Sequence, residues 1–346
     1  MPGTTVAKTS SLLRRALLSD GRPWILALGE VAGMTPLRLG IVAAIVLTPP
    51  SYVFGHPLMT PILTAYALAI TSYLIHRQIR ELDGLEPLIT YDQATLDRIR
   101  HGLRYHPRWL LWSGWIIGPV AMVLVNFTGP QISAIRAGEF LTPGAAWGLF
   151  LAALFWVIVF QMLALFFRNA KAFHLLGIHG VRIDLLDVGS LTPFARVAIR
   201  NLLIFIGGFA VAPLALLQGN QFLVPLTIGL ALTMPCCVAL VGIPVYAVHL
   251  RLAKAKEEEL DRVRRAIRGE REAMEDSPVA EDAGQMTVAG LVMYRRMVED
   301  IQEWPIAASE ILRFALYVII PFLAWVGAAL VERAVDAILS MRLPVA

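Results

Sequence analysis

Four histidines lie in two pairs, His101 with His106 and His174 with His179, and four imidazoles are enough to hold a zinc ion. The members of each pair are five residues apart. On a helix that step turns the second side chain about 140° from the first, whereas ligands on one face stand four apart. Interfacial histidines are therefore expected, and no metal site. Cys236 and Cys237 are adjacent inside an apolar run, where they cannot form an ordinary bridge, and they read as small packing residues. Asp92, Asp184 and Asp187 are the carboxylates placed for acid–base work, yet each is better explained as a cap or a loop salt bridge. In "DLLDVGSLTPF", Ser190 or Thr192 is positioned to cap a helix that begins near Pro193. GxSxG, HExxH and phosphate-cradling loop patterns are missing from the sequence. No catalytic residue and no cofactor are expected.

The apolar blocks carry little chemistry either. Their central parts hold no Asp, Glu or Lys, and their polar residues are Tyr66, Thr71, Ser72, Tyr73, Ser113, Gln161, Thr227 and Thr233. Gln161 is the costliest of these to expose to lipid. It is the candidate intramembrane polar site, either as an interhelical hydrogen-bonding group or as the lining of a polar path.

Those residues must be positioned by membrane helices. The chain has 346 residues, 57% of them hydrophobic and 16% charged. Soluble domains sit near 45–50% and about 25%. The apolar residues cluster in blocks of roughly 20, the length that crosses about 30 Å of hydrocarbon. The expected fold is an all-α polytopic bundle of about seven spans, near 38–56, 58–76, 108–127, 146–167, 200–218, 222–249 and 312–331.

Charge sets the orientation. Segment 77–108 carries Arg77, Arg80, Arg98, Arg100, Arg104 and Arg108, and segment 168–200 carries Arg168, Lys171, Arg182, Arg196 and Arg200. The connections on the other side carry Arg136 alone, so eleven positives face one. Lys and Arg accumulate on the cytoplasmic side, which predicts a cytoplasmic N-terminus and cytoplasmic loops at 77–107 and 168–199. The net charge of +4 comes from residues that flank the spans, so membrane lipids, not nucleic acid, are the expected partners. Residues 1–37 read as a cytoplasmic amphipathic segment on the membrane surface, with no cleavable signal. The six-span region runs over 38–249, a cytoplasmic helical extension and linker over 250–310, and the last span with a short tail over 311–346.

The extension is the most distinctive element. In "RLAKAKEEELDRVRRAIRGEREAMED", Ala253, Lys256, Leu260, Val263, Ile267, Glu270 and Met274 fall at alternating steps of three and four. This is a short heptad-like seam, and the competing expectation is a solvated helix continuing out of the membrane. Residues 276–287 read as a linker. A second helix places Leu291, Tyr294, Val298 and Ile301 on one face. Leu260, Val263, Ile267, Met274, Leu291 and Tyr294 form the expected interaction surface.

A weak repeat links the spans. "GPVAMVLVN" at 118–126 resembles "APLALLQGN" at 212–220, and Asp92 and Leu96 are matched by Asp187 and Leu191. Each outbound span has an Arg at its entry and a Pro further along: Arg38 and Pro49, Arg108 and Pro119, Arg200 and Pro213, Arg313 and Pro321. Pro119, Pro213, Pro235 and Pro321 are the expected kinks. The late span "WPIAASEILRFALYVIIPFLAWVGAALVERAVD" is on this pattern a fourth outbound helix.

"VRIDLLDVGSLTPFARVAIRN" and "EWPIAASEILRFALYVIIPFLAWVGAALVER" resemble segments of an uncharacterised family of bacterial polytopic inner-membrane proteins, over about a sixth of the chain. That family has no assigned activity, so the resemblance implies a location and no site. The expectation is a non-enzymatic subunit or scaffold of a membrane assembly, self-associated or bound to other membrane subunits through its cytoplasmic helices. The alternative is a channel or transporter for a small solute, and a membrane-embedded enzyme comes third.

Overall fold

The computed structural model describes residues 21–125, 138, 142–211, 223–280 and 286–304, together with residues 312, 316, 319 and 323. Every regular element among them is helical. The elements are α1 (Trp24–Val31), α2 (Pro36–Val53), α3 (Met59–Leu85), α4 (Gln93–Arg104), α5 (Arg108–Val125), α6 (Pro143–His179), α7 (Thr192–Asn201), α8 (Leu203–Val211), α9 (Leu223–Ile267) and α10 (Val288–Glu299). Short 3-10 turns at Glu86–Leu88, Val188–Leu191 and Arg271–Met274 punctuate them.

Six helical stretches are long and apolar enough to cross a membrane: Pro36–Val53, Met59–Leu88, Arg108–Val125, Pro143–His179, Val188–Gly208 and Val238–Ile267. The chain is a polytopic, all-helical membrane protein. The seventh expected span, 312–331, lies outside the described residues apart from four single positions.

One unit recurs. A long helix (α3, α6, α9) is followed by a 3-10 turn and then by a short helix (α4, α7, α10). The short helix leads to the next helix, α5 after α4 and α8 after α7, and α7 with α8 lies in the candidate span Val188–Gly208. α1 and α2 repeat the last two steps at the start of the chain. The local causes also recur. Thr35, Thr142 and Thr287 cap α2, α6 and α10 by accepting the N–H of Arg38, Ala145 and Gly290. Asp92 and Asp187 both stand just before their elements in non-helical backbone.

The long helices overrun the expected loop boundaries. α3 continues to Leu85 and α6 to His179, so the segments expected as basic loops begin as helix. Their ends pack with α4, α7 and the middle of α9 around the largest core. It holds Leu82, Leu85, Leu96, Leu103, Phe173, Leu176, Leu191, Phe194, Val248 and Leu252, all at most 2% exposed. The two basic segments also pair through an isolated bridge between Ile89 and Val181. The basic end is thus a folded layer, because helix ends carrying this many leucines cannot stay in water cheaply.

α1 also departs from expectation. Ile25 and Leu26 are buried among α3 and α6, against Ala67, Leu68, Ile158 and Phe166. α1 is thus docked into the bundle on one side while Leu28 stays exposed on the other, and residues 1–20 are outside the described part. Pro119 and Pro235 sit inside the continuous helices α5 and α9. Pro213 and Pro321 lie outside the described residues.

Candidate functional site: a buried polar junction and a basic-end hairpin

Close helix approach builds the junction. α5 meets α6 through Gly114 and Gly118, which are four residues apart. A Cβ on Gly118 would stand 2.6 Å from the Val157 nitrogen and 2.7 Å from its Cα, and one on Gly114 would stand 3.0 Å from the Gln161 Cβ. Small residues four apart let membrane helices pack backbone to backbone. Gln161 is fully buried there, and its Nε2 donates to the Leu111 carbonyl at 3.1 Å, an interhelical bond.

Toward the basic end a chain of amides crosses four helices. Asn169 Nδ2 donates to Gln78 Oε1 at 2.7 Å, Gln78 Nε2 donates to Asn201 Oδ1 at 3.0 Å, and Asn201 Nδ2 donates to the Leu240 carbonyl at 3.3 Å. These bonds tie α6, α3, α7 and α9 together. A buried amide without partners is costly, so the network fixes which helix faces meet. Beside it Glu81 accepts from Arg200 and lies 3.7 Å from Arg196. Glu30 likewise binds both Arg22 and Arg104, and the Arg104 hydrogen bond leads in holding its carboxyl below the usual range.

The histidines do not converge. His101 stacks on Tyr105 with ring centres 4.1 Å apart. His174 Nδ1 is 2.8 Å from the Ile243 carbonyl. His106 is fully buried, bridged through its backbone to Gly21, with both ring nitrogens unpartnered. Burial, and secondarily the charge of Arg168, push it down to about 3. Among the described residues no three His, Cys, Asp or Glu side chains are grouped as metal ligands. Arg168 Nε and Nη2 and Asn169 Oδ1 are also buried without partners.

The second feature is a hairpin. α9 is 45 residues long, and the 18 residues that follow His249, ending at Ile267, extend about 27 Å at 1.5 Å each. α10 folds back along it. Val263, Met274, Leu291, Tyr294 and Val298 form a sealed core with Leu260, Ile267, Met286 and Ile301 at its edge. This corrects the expected interaction surface. Leu260, Val263, Ile267, Met274, Leu291 and Tyr294 pack on one another within the chain, because the seam of α9 finds its apolar complement only about 30 residues later in α10. Glu259, fully buried, locks the assembly by accepting from Ser277 and, at 3.0 Å, from Tyr294, with Arg262 at 2.9 Å. Burial leads in pushing the Tyr294 hydroxyl up to about 12. At the other end Lys256 donates to the Ile301 carbonyl at 2.9 Å, and His249 stacks on Trp304 at 4.1 Å.

Much of what α10 leaves outside is apolar. With Leu291, Tyr294 and Val298 turned inward, the exposed arc carries Val288, Ala289, Val292, Met293 and Met297, interrupted by Arg296 and Glu299. Met293 is 76% exposed. Sequence reasoning missed this arc because it sought one face on α10, and the helix has two.

No family model, no curated protein and no solved structure matches the chain.

Proposed function

We propose that this protein is a non-enzymatic subunit of an assembly in the bacterial inner membrane, with its basic end cytoplasmic, and that copies associate through the outer face of α10. The observation that carries this is the apolar arc Val288, Val292, Met293 and Met297 on a helix outside the spans. Isolated exposed apolar residues are ordinary, but several gathered on one side of a short helix outside the spans favour a contact surface. Methionines suit such a surface because their unbranched side chains adapt to the facing one. The hairpin that bears the arc is held at both ends and by the Glu259 lock, so the face is presented ready-made.

A second copy is the favoured occupant. The membrane gives every copy one orientation, so identical hairpins stand at the same height and meet the same patch on a neighbour. A two-fold contact of this kind is the commonest closed arrangement. The eleven-to-one division of Lys and Arg supports the cytoplasmic orientation.

A cysteine at the centre of the arc tests both points. In membranes, mild oxidation of Met293→Cys is expected to give a cross-linked dimer, while the unsubstituted chain gives none. A membrane-impermeant maleimide should label that cysteine only after the cells are opened. Absence of the dimer contradicts self-association, and labelling in intact cells contradicts the orientation.

A further inference from the structure

α5 turns one side to the bundle and the other outward. Gly114, Gly118, Ala121, Met122 and Val125 form its buried side. At 3.6 residues per turn, Arg108, Trp109, Trp112, Ile116 and Val120 fall within about 120° of one another, away from those residues. All five are exposed, Trp109 and Trp112 at 70% and 65%. Ile116 and Val120 are what a helix shows to lipid. The arginine and the two tryptophans at the basic end of the same side bring hydrogen-bond donors as well as apolar surface.

Those donors have no partner among the described residues. The carboxylates of the basic end are taken: Glu30 by Arg22 and Arg104, Glu81 by Arg196 and Arg200, and Asp83, Glu86 and Asp97 by Arg100. Arg108 forms none of these pairs. Its stem is nonetheless supported, because a Cβ on Gly21 would stand 3.8 Å from the Arg108 Cγ. The Trp109 and Trp112 indole N–H groups likewise have no acceptor among the described residues. Arg38 is the contrast. It is exposed in the first turn of α2, has no carboxylate either, and precedes exposed Ile41 and Ile45, but α2 contains no tryptophan.

We infer that Arg108, Trp109 and Trp112 seat the headgroup of an anionic phospholipid on the outer side of α5, with its acyl chains running along Ile116 and Val120. One edge of a guanidinium matches two phosphate oxygens. Indoles prefer the boundary between headgroup and hydrocarbon, where their N–H meets phosphate or ester oxygens. The charge selects the lipid. The apolar stripe accepts any acyl chain, but a guanidinium that no carboxylate neutralises favours a headgroup of net negative charge.

The test places the full chain in phosphatidylcholine nanodiscs that carry a small fraction of either phosphatidylglycerol or phosphatidylcholine with brominated chains, which quench nearby indoles. The quenching should show phosphatidylglycerol held about fivefold more tightly than phosphatidylcholine, the worth of one basic side chain at a lipid surface. Arg108→Gln should abolish that preference, and Arg38→Gln, the unpaired arginine without indoles beside it, should keep it. Trp109→Phe combined with Trp112→Phe should remove the quenching specific to phosphatidylglycerol, because those two indoles report it. The inference fails if the wild type shows no preference, if the preference survives Arg108→Gln, if Arg38→Gln loses it equally, or if the specific quenching persists without the two indoles. Where Arg108→Gln does not fold, the paired tryptophan variant decides in the same way.

Discussion

At the residue scale the junction is governed by groups that burial forces into one state. His106 keeps a neutral ring in the folded protein down to about pH 3, whereas an unfolded imidazole takes a proton near 6.5. Its folded value lies below its unfolded one. The unfolded state therefore binds more protons between those limits, and stability falls as pH drops through that window. The slope is about 1.4 kcal/mol per pH unit, so about 2 kcal/mol is lost between pH 6.5 and pH 5. The unfolding temperature of the wild type is expected to fall over that range, and His106→Asn should remove most of the difference. An equal pH dependence in the variant would mean that the ring is already charged or hydrated. Gln161 was legible in the sequence because a glutamine inside an apolar run is conspicuous. Gln78 and Asn169 were not, because they stand beside arginines in stretches that read as solvated loops, and Asn201 was not, because it stands next to Arg200 at the edge of an expected span. Nothing in residue type separates a loop asparagine from one locked between four helices.

At the element scale the contact of α5 with α6 depends on two missing side chains. The run "GWIIG" at 114–118 carries that signal in plain view, as small residues four apart. Gly118→Val would drive its side chain into the Val157 backbone, already 2.6 Å from a bare Cβ. Overpacking of this kind costs about 1–3 kcal/mol or more where backbone has to move. Unfolding followed in detergent should show that loss, and Gly208→Ala, whose Cβ would meet nothing within 4 Å, should not. Equal effects at both positions would mean that α5 and α6 are not in close contact. The six described spans and the helical extension were legible from apolar length and from the three-and-four spacing. The partner of the extension was not. A seam on α9 shows that an apolar complement is required, but whether that complement comes from another chain or from α10 depends on the turn at Arg271–Met274, where the three-and-four spacing reads as continuing helix and the linker is expected only from residue 276.

For the whole molecule, the repeated unit of long helix, 3-10 turn and short helix accounts for the extension that follows His249. The third unit is longer because α9 continues about 27 Å past His249 before α10 comes back. The first two units spend their short helices on the core around Phe173 and Phe194. The third carries its short helix away from that core, and so one apolar face of α10 is sealed on α9 while the other stays open. Serine at Leu260, Val263 and Ile267 would open the hairpin itself, so loss of association in such a variant would not locate the contact. Substitutions on the outer arc separate the two, since Val292, Met293 and Met297 are exposed and take no part in the hairpin core. The most direct measurement is the mass of the purified particle in mild detergent, for the wild type and for Val292→Ser, Met293→Ser and Met297→Ser combined. A wild-type particle holding two or more copies, reduced to one copy in the variant with the helical content unchanged, is the result this account requires. A wild-type particle holding a single copy, or a multiple-copy particle that the three substitutions leave intact, would contradict it.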